Sequence, residues 1–171
     1  FGRTAGVARR GDDFEHMPHV EQVTWAGVSA DTRAAAARLR MQNERRVDAL
    51  FTTGFCFGGR LAFVSGTLGL GLAGAIGFYG FPTKRNGVPG PAEQAGTMTA
   101  PILALQAGAD QNITRVENDA FERALTDAGV EHELVVYDGA PHSFFDRKQE
   151  EFAEASEDAW RRTLDFIERY G

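Results

Sequence analysis

The sequence predicts an α/β fold, a doubly wound layer with a mostly parallel sheet, and three observations predict it. Short apolar runs rich in β-branched residues stop at glycines. Helix-compatible runs of about ten residues or more lie between them, in regular alternation. The apolar runs are continuous rather than alternating, which is the pattern of strands covered on both faces, joined by crossover helices.

Taken in order, "SADTRAAAARLRMQ" offers Ser or Asp as a cap before an alanine-rich run, a helix over Asp31 to Arg40. "RVDALFTTGF" reads as a buried strand over Val47 to Thr53, and the glycine turn after it leads into a helix over Gly58 to Thr67. "LAGAIGFYG" from Leu72 is a second buried strand, and "FPTKRNGVPGPAEQAGTMTA" has the Pro and Gly content of a loop. "PILALQAGAD" gives a third strand over Ile102 to Gln106. An amphipathic helix over Arg115 to Ala128 follows and stops at Gly129. A fourth strand covers Glu133 to Tyr137. The last helix, Gln149 to Tyr170, brings Phe152, Trp160, Leu164 and Ile167 to one face.

With 171 residues, 43% of them hydrophobic, one domain burying roughly 68–70% of its unfolded surface is expected. A formal charge of −6 and a pI near 5.2 speak against a nucleic-acid groove or an anionic membrane surface as partner, so a small molecule or a protein is the expected partner. Cys56 is the one cysteine, so no intramolecular disulfide is required and the cytoplasm is the expected address. The most apolar stretch, Leu68 to Phe81, falls short of the roughly 20 residues a membrane-spanning helix needs. The opening "FGRTAGVARRGDDFEHMPH" lacks the apolar core of a secretory signal and reads as a loop from within something longer. Arg9 and Arg10 read as solvated loop.

The chemistry concentrates at strand ends. Gly54-x-Cys56-x-Gly58 is the thiol form of a nucleophile elbow, a strained strand-to-helix turn that projects its central side chain. Small residues are expected two before and two after Cys56, because strand and helix cross closely there. The helix N-terminus favours thiolate over thiol. Asp110 follows the third strand and His142 lies in the loop after the fourth. In open α/β sheets functional groups collect beyond these carboxyl ends, and the order nucleophile, acid, histidine is that of α/β-hydrolases. Asp138 is the reserve acid. His132 reads as the start of a strand on a solvated face. His16 and His19 do not make a metal site, since no other ligands cluster with them and Pro18 argues against a helix there. Trp25, Phe78, Tyr79, Phe81, Phe144 and Phe145 are the aromatic candidates for a pocket wall, with Phe144 and Phe145 favoured because they adjoin His142.

"GFCFGG" around Cys56, "AGAD" ending at Asp110 and "GAPHSFFDR" around His142 resemble the dienelactone hydrolase (carboxymethylenebutenolidase) family over nearly the whole chain. "FGRTAG" is similar to the loop after the third strand of that fold. The resemblance implies an α/β-hydrolase without metal or organic cofactor. Such an enzyme opens a small carboxylate-bearing lactone to a keto acid in aromatic-compound catabolism, through Cys56, His142 and Asp110. It implies the Phe57 amide as an oxyanion donor. By motif it also implies Arg3 and Arg147 as the holders of the substrate carboxylate, although Arg147 stands one place further from His142 than the family spacing. A general carboxylesterase or thioesterase, or a noncatalytic binding fragment, are the alternatives. The first strands of the fold, and with them a second oxyanion donor, are expected to be missing. Losing one donor typically costs about 10²- to 10³-fold in turnover. A preceding segment or a second chain is therefore expected to complete the sheet.

Overall fold

A computed structural model of the chain describes residues 2–6, 11, 13–42, 47–85 and 88–171. Phe1, Arg9 and Arg10 lie outside the described residues. The helices are α1 (Gly2–Ala5), α2 (Met17–Glu21), α3 (Trp25–Gln42), α4 (Phe57–Ser65), α5 (Pro91–Gln94), α6 (Arg115–Asp127) and α7 (Ala153–Tyr170). The strands are β1 (Phe51–Phe55), β2 (Gly74–Phe78), β3 (Ile102–Ala107) and β4 (His132–Tyr137). They pair in the order β1-β2-β3-β4, and every pair is parallel. The expected parallel α/β layer is therefore present.

Alternate residues of β3 serve opposite faces, as a pleated strand requires. Leu103, Leu105 and Ala107 join Ile76, Phe78, Phe144, Ala159 and Phe166 in one core beneath α7. Ile102 and Ala104 join Phe63, Phe121 and Leu125 in the other, beneath α4 and α6. Each of these large side chains, fully buried, contributes roughly 1.5–3 kcal/mol. Arg60, a buried cation on α4, donates to the carbonyls of Phe81, Thr83, Val88 and Pro89 and so ties down the loop after β2. Burial lowers its pKa, the expected sign for a desolvated cation.

Several boundaries differ from expectation for identifiable reasons. Helix α3 starts at Trp25, not Asp31, because the Thr24 hydroxyl accepts the Gly27 amide at 3.1 Å and caps it six residues earlier. Strand β1 runs to Phe55, since Gly54 pairs with Gly77 and Phe55 with Phe78. A helix does form around Pro18, at its first turn, where a missing amide hydrogen costs nothing.

The face of α7 differs most. It seats Ser156, Ala159, Thr163 and Phe166 on the sheet, a mostly small face that allows close approach. Trp160, Leu164 and Ile167 are 51%, 48% and 38% exposed, while Phe152 packs partly against the core. Among the described residues, β1 has no partner on its outer edge.

Candidate functional site

The elbow is built by close packing. A Cβ placed on Gly54 would lie 2.1 Å from the Gly58 carbonyl oxygen, closer than any real contact. Gly58 itself has open space around it, so smallness two places after Cys56 is not what the fold needs. Gly59 is the tight position, where a Cβ would lie 2.7 Å from the Phe78 carbonyl oxygen, because α4 crosses β2 as well as β1. Gly54→Ala is expected to lower unfolding stability by about 3 kcal/mol, since the backbone of α4 would have to move; a denaturant titration measures it.

Cys56 ends β1 at φ 54°, outside the usual regions for a side-chain-bearing residue. Tyr79 (φ 39°) and Ser143 (φ 62°) share this feature among the described residues. Tyr79 and Cys56 follow neighbouring strand ends, and Ser143 follows His142. Backbone strain thus gathers at one place, the usual sign of a site whose geometry overrides local preference.

Cys56, Asp110 and His142 meet there. The His142 Nδ1 lies 2.5 Å from the Asp110 carboxylate, which is fully buried, and the imidazole and the Cys56 thiol are close enough that each shifts the other's pKa. The hydrogen bond that His142 donates to Asp110, and after it the interaction with Cys56, push the imidazole up to about 10. The His142 hydrogen bond draws Cys56 below its ordinary value against the opposing effect of burial, and the Phe57 amide adds to the lowering. Burial works against the charge of Asp110, but hydrogen bonds from His142 and from the Asn112 and Ile113 amides hold its pKa below the ordinary range. The arrangement stabilises a thiolate beside an imidazolium. Asp138 is exposed and is not the acid that holds His142.

Tyr79 is buried against the imidazole, with ring centroids 5.0 Å apart. Its hydroxyl donates to Asp146 at 2.6 Å. Burial, then the Asp146 carboxylate, raises the Tyr79 pKa, so its proton stays in place. Asp146 escaped the sequence reading, although it stands in the quoted "GAPHSFFDR" beside Arg147.

Other expected contributors are placed differently. Phe144 is fully buried between Tyr79 and Tyr137, with centroids at 5.6 and 5.1 Å, and it lines no opening. Phe145 stacks instead with Phe55, Phe78 and Trp160. Phe78 is likewise core, Phe81 lies under the Arg85 guanidinium, and Trp25 is exposed on α3. Arg147 is 80% exposed and its Nε is 3.9 Å from Asp146. Arg3 makes a two-pronged ion pair with Asp31, Nε to Oδ2 at 2.8 Å and Nη2 to Oδ1 at 2.5 Å. Asp31, expected as a helix cap, sits inside α3. This pair borders a pocket of about 270 Å³ whose wall also includes Val28, Phe57 and Leu61. The pocket thus adjoins the residue after Cys56. His132 begins β4 with its Nδ1 on the Val130 carbonyl. Among the described residues, no group of three or more His, Cys, Asp or Glu could hold a metal ion, and no helix is long and apolar enough to cross a membrane.

The model of the dienelactone hydrolase family matches residues 1–171. An Escherichia coli K12 protein named "Putative carboxymethylenebutenolidase" is 32% identical over 174 residues, covering 95% of this chain and 64% of that protein. A Saccharolobus solfataricus protein of the same name is 40% identical over 124 residues, covering 72% and 45%. Among solved structures, a Klebsiella pneumoniae protein described as a "Putative Dienelactone Hydrolase" superposes with a TM-score of 0.77 at 28% identity, covering 88% of this chain and 64% of that one. A Pyrococcus horikoshii acylaminoacyl peptidase, 15% identical with a TM-score of 0.70, shares the fold. The chain spans about two thirds or less of the length of these relatives.

Proposed function

Because the chain belongs to the dienelactone hydrolase family, we propose that it hydrolyses a small ester or lactone through Cys56, with His142 as proton carrier and Asp110 as its orienting acid. The observation that carries this reading is the hydrogen bond between His142 and the buried Asp110 carboxylate, beside a Cys56 thiol whose pKa the imidazole lowers, all three just past the ends of three strands. The thiolate attacks the carbonyl carbon, a C–S bond forms, and the carbonyl electron pair moves to oxygen, facing the Phe57 amide. Collapse breaks the C–O bond, and the leaving oxygen takes the proton from His142. Water then gives a proton to His142 and its oxygen to the thioester carbonyl. The C–S bond breaks, releasing the acid and restoring the thiolate.

The second oxyanion donor belongs to no described residue. The open edge of β1, ending at Cys56, supports a further strand there, from a preceding segment or a second chain. For the acyl group, the family resemblance implies a carboxylate-bearing lactone such as dienelactone. A general ester is the second reading, favoured by the engagement of Arg3 with Asp31 and by the exposure of Arg147.

Alkylation by iodoacetamide tests the thiolate directly. At pH 6.5 a free thiol of pKa about 8.5 is roughly 1% ionised, and Cys56 is expected to react about tenfold faster, the gain vanishing in His142→Ala. A rate no greater than that of the free thiol refutes the proposal.

A further inference from the structure

Within that thiol-hydrolase reading, we infer that the site takes esters whose acyl part is uncharged, and that Asp31 and Asp146 are the residues that make it so. A substrate carboxylate is recognised best by a guanidinium presenting two parallel N–H groups. Arg3 presents two such donors beside the pocket that adjoins Phe57, and both are taken by Asp31. The Arg3 side chain lies over Gly27, 3.6 Å from where a Cβ would be, so α3 supplies both its seat and its partner acid. The pair is exposed and weak in water, but it is intramolecular. A tethered carboxylate meets Arg3 at an effective concentration of about millimolar or more, above that of most metabolites, so a substrate carboxylate competes at a disadvantage.

A second carboxylate, near His142, also works against it. The Tyr79 hydroxyl holds the Asp146 carboxylate, and Tyr79 itself packs on His142. The Asp146 carboxylate therefore stands one tyrosine away from His142, close to the place where the family pattern expects an arginine. Arg147, the neighbouring cation, is directed to solvent. A neutral acyl group meets neither obstacle, and Val23, Val28 and Leu61 give the pocket an apolar wall.

The test compares a butenolide bearing a carboxylate with its neutral carboxamide, by the ratio of their kcat/KM values. The unmodified chain is expected to favour the carboxamide about tenfold. Asp31→Asn is expected to shift the ratio about tenfold toward the carboxylate by releasing Arg3, and Arg3→Met added to it should erase that gain. Asp146→Asn keeps an acceptor for Tyr79 while removing the charge, and should shift the ratio several-fold in the same direction. A second measurement needs no turnover: the rate of Cys56 alkylation by iodoacetate relative to iodoacetamide should rise in the same variants and fall back in the Arg3 double variant. A preference for the carboxylate in the unmodified chain, or ratios in both assays that stay within twofold across the variants, overturns the inference. Failure of Cys56-dependent hydrolysis with both compounds counts against the hydrolase reading instead, and the alkylation ratio then still decides the charge question.

Discussion

Cys56→Ala is expected to lower turnover of a small ester or lactone by about 10⁴-fold or more relative to the unmodified chain, because the proposed attack is made by the thiol and the remaining groups act mainly through it. The fold should survive. Alanine is smaller than cysteine, so nothing clashes at a half-buried position. Its Cβ suffers the φ of 54° no worse than that of cysteine does. Comparing kcat/KM and the urea midpoint of the two proteins separates chemistry from folding. Equal turnover would remove Cys56 from the reaction, and a matched loss of stability would make the change in rate uninformative about its role. The latter is excluded beforehand by choosing conditions in which both proteins are folded by circular dichroism. A trapped thioester, seen as a mass increase on the Cys56 peptide after an acid quench, should vanish in the variant.

The sheet and the three strand-end residues were readable because each rests on a local signal. Continuous apolar runs mark β2 and β3, whose residues are all buried. Thr114 with Glu117 closes a reciprocal cap at the start of α6, and Gly129 at φ 67° ends it. Glycines around Cys56 mark the elbow, though which of them is sterically required depends on β2, a neighbour that spacing does not reveal. Gly59 faces Phe78 and Gly80, and Gly58 faces nothing.

What stayed hidden is tertiary. Arg3 and Asp31 are 28 positions apart, and nothing in either neighbourhood marks them as partners. Tyr79 and Asp146 are 67 apart. The face of α7 was misread because Trp160, Leu164 and Ile167 carry the larger apolar groups, while the sheet accepts the small face of Ser156, Ala159 and Thr163. Large apolar residues left outside, alongside an unpartnered β1, fit the further strand proposed above better than they fit a finished surface.

Asp110→Asn is expected to cost about 10³-fold in kcat/KM at neutral pH, somewhat less than the same change in a serine triad, since a thiol ionises more readily than a hydroxyl. The hydrogen bond that His142 donates to Asp110 is the largest influence raising the imidazole to about 10. An amide in place of the carboxylate removes that influence, and the His142 pKa falls toward its ordinary range, held up only by Cys56. The imidazolium in turn is what lowers Cys56. The two groups are coupled, so the profile reports the pair. In the unmodified chain, activity should rise with pH as the thiolate forms, starting below the ordinary thiol range, and fall only as pH passes about 10, where the imidazolium loses the proton it gives to the leaving oxygen. In Asp110→Asn the rising limb should move up and the falling limb down, so that the limbs overlap and the plateau disappears. A profile of unchanged width with a lower plateau would mean that Asp110 acts only by orienting the ring. If rate and width both stay the same, Asp110 has no part in the reaction, and His142 must take its direction from the neighbouring Tyr79 ring alone.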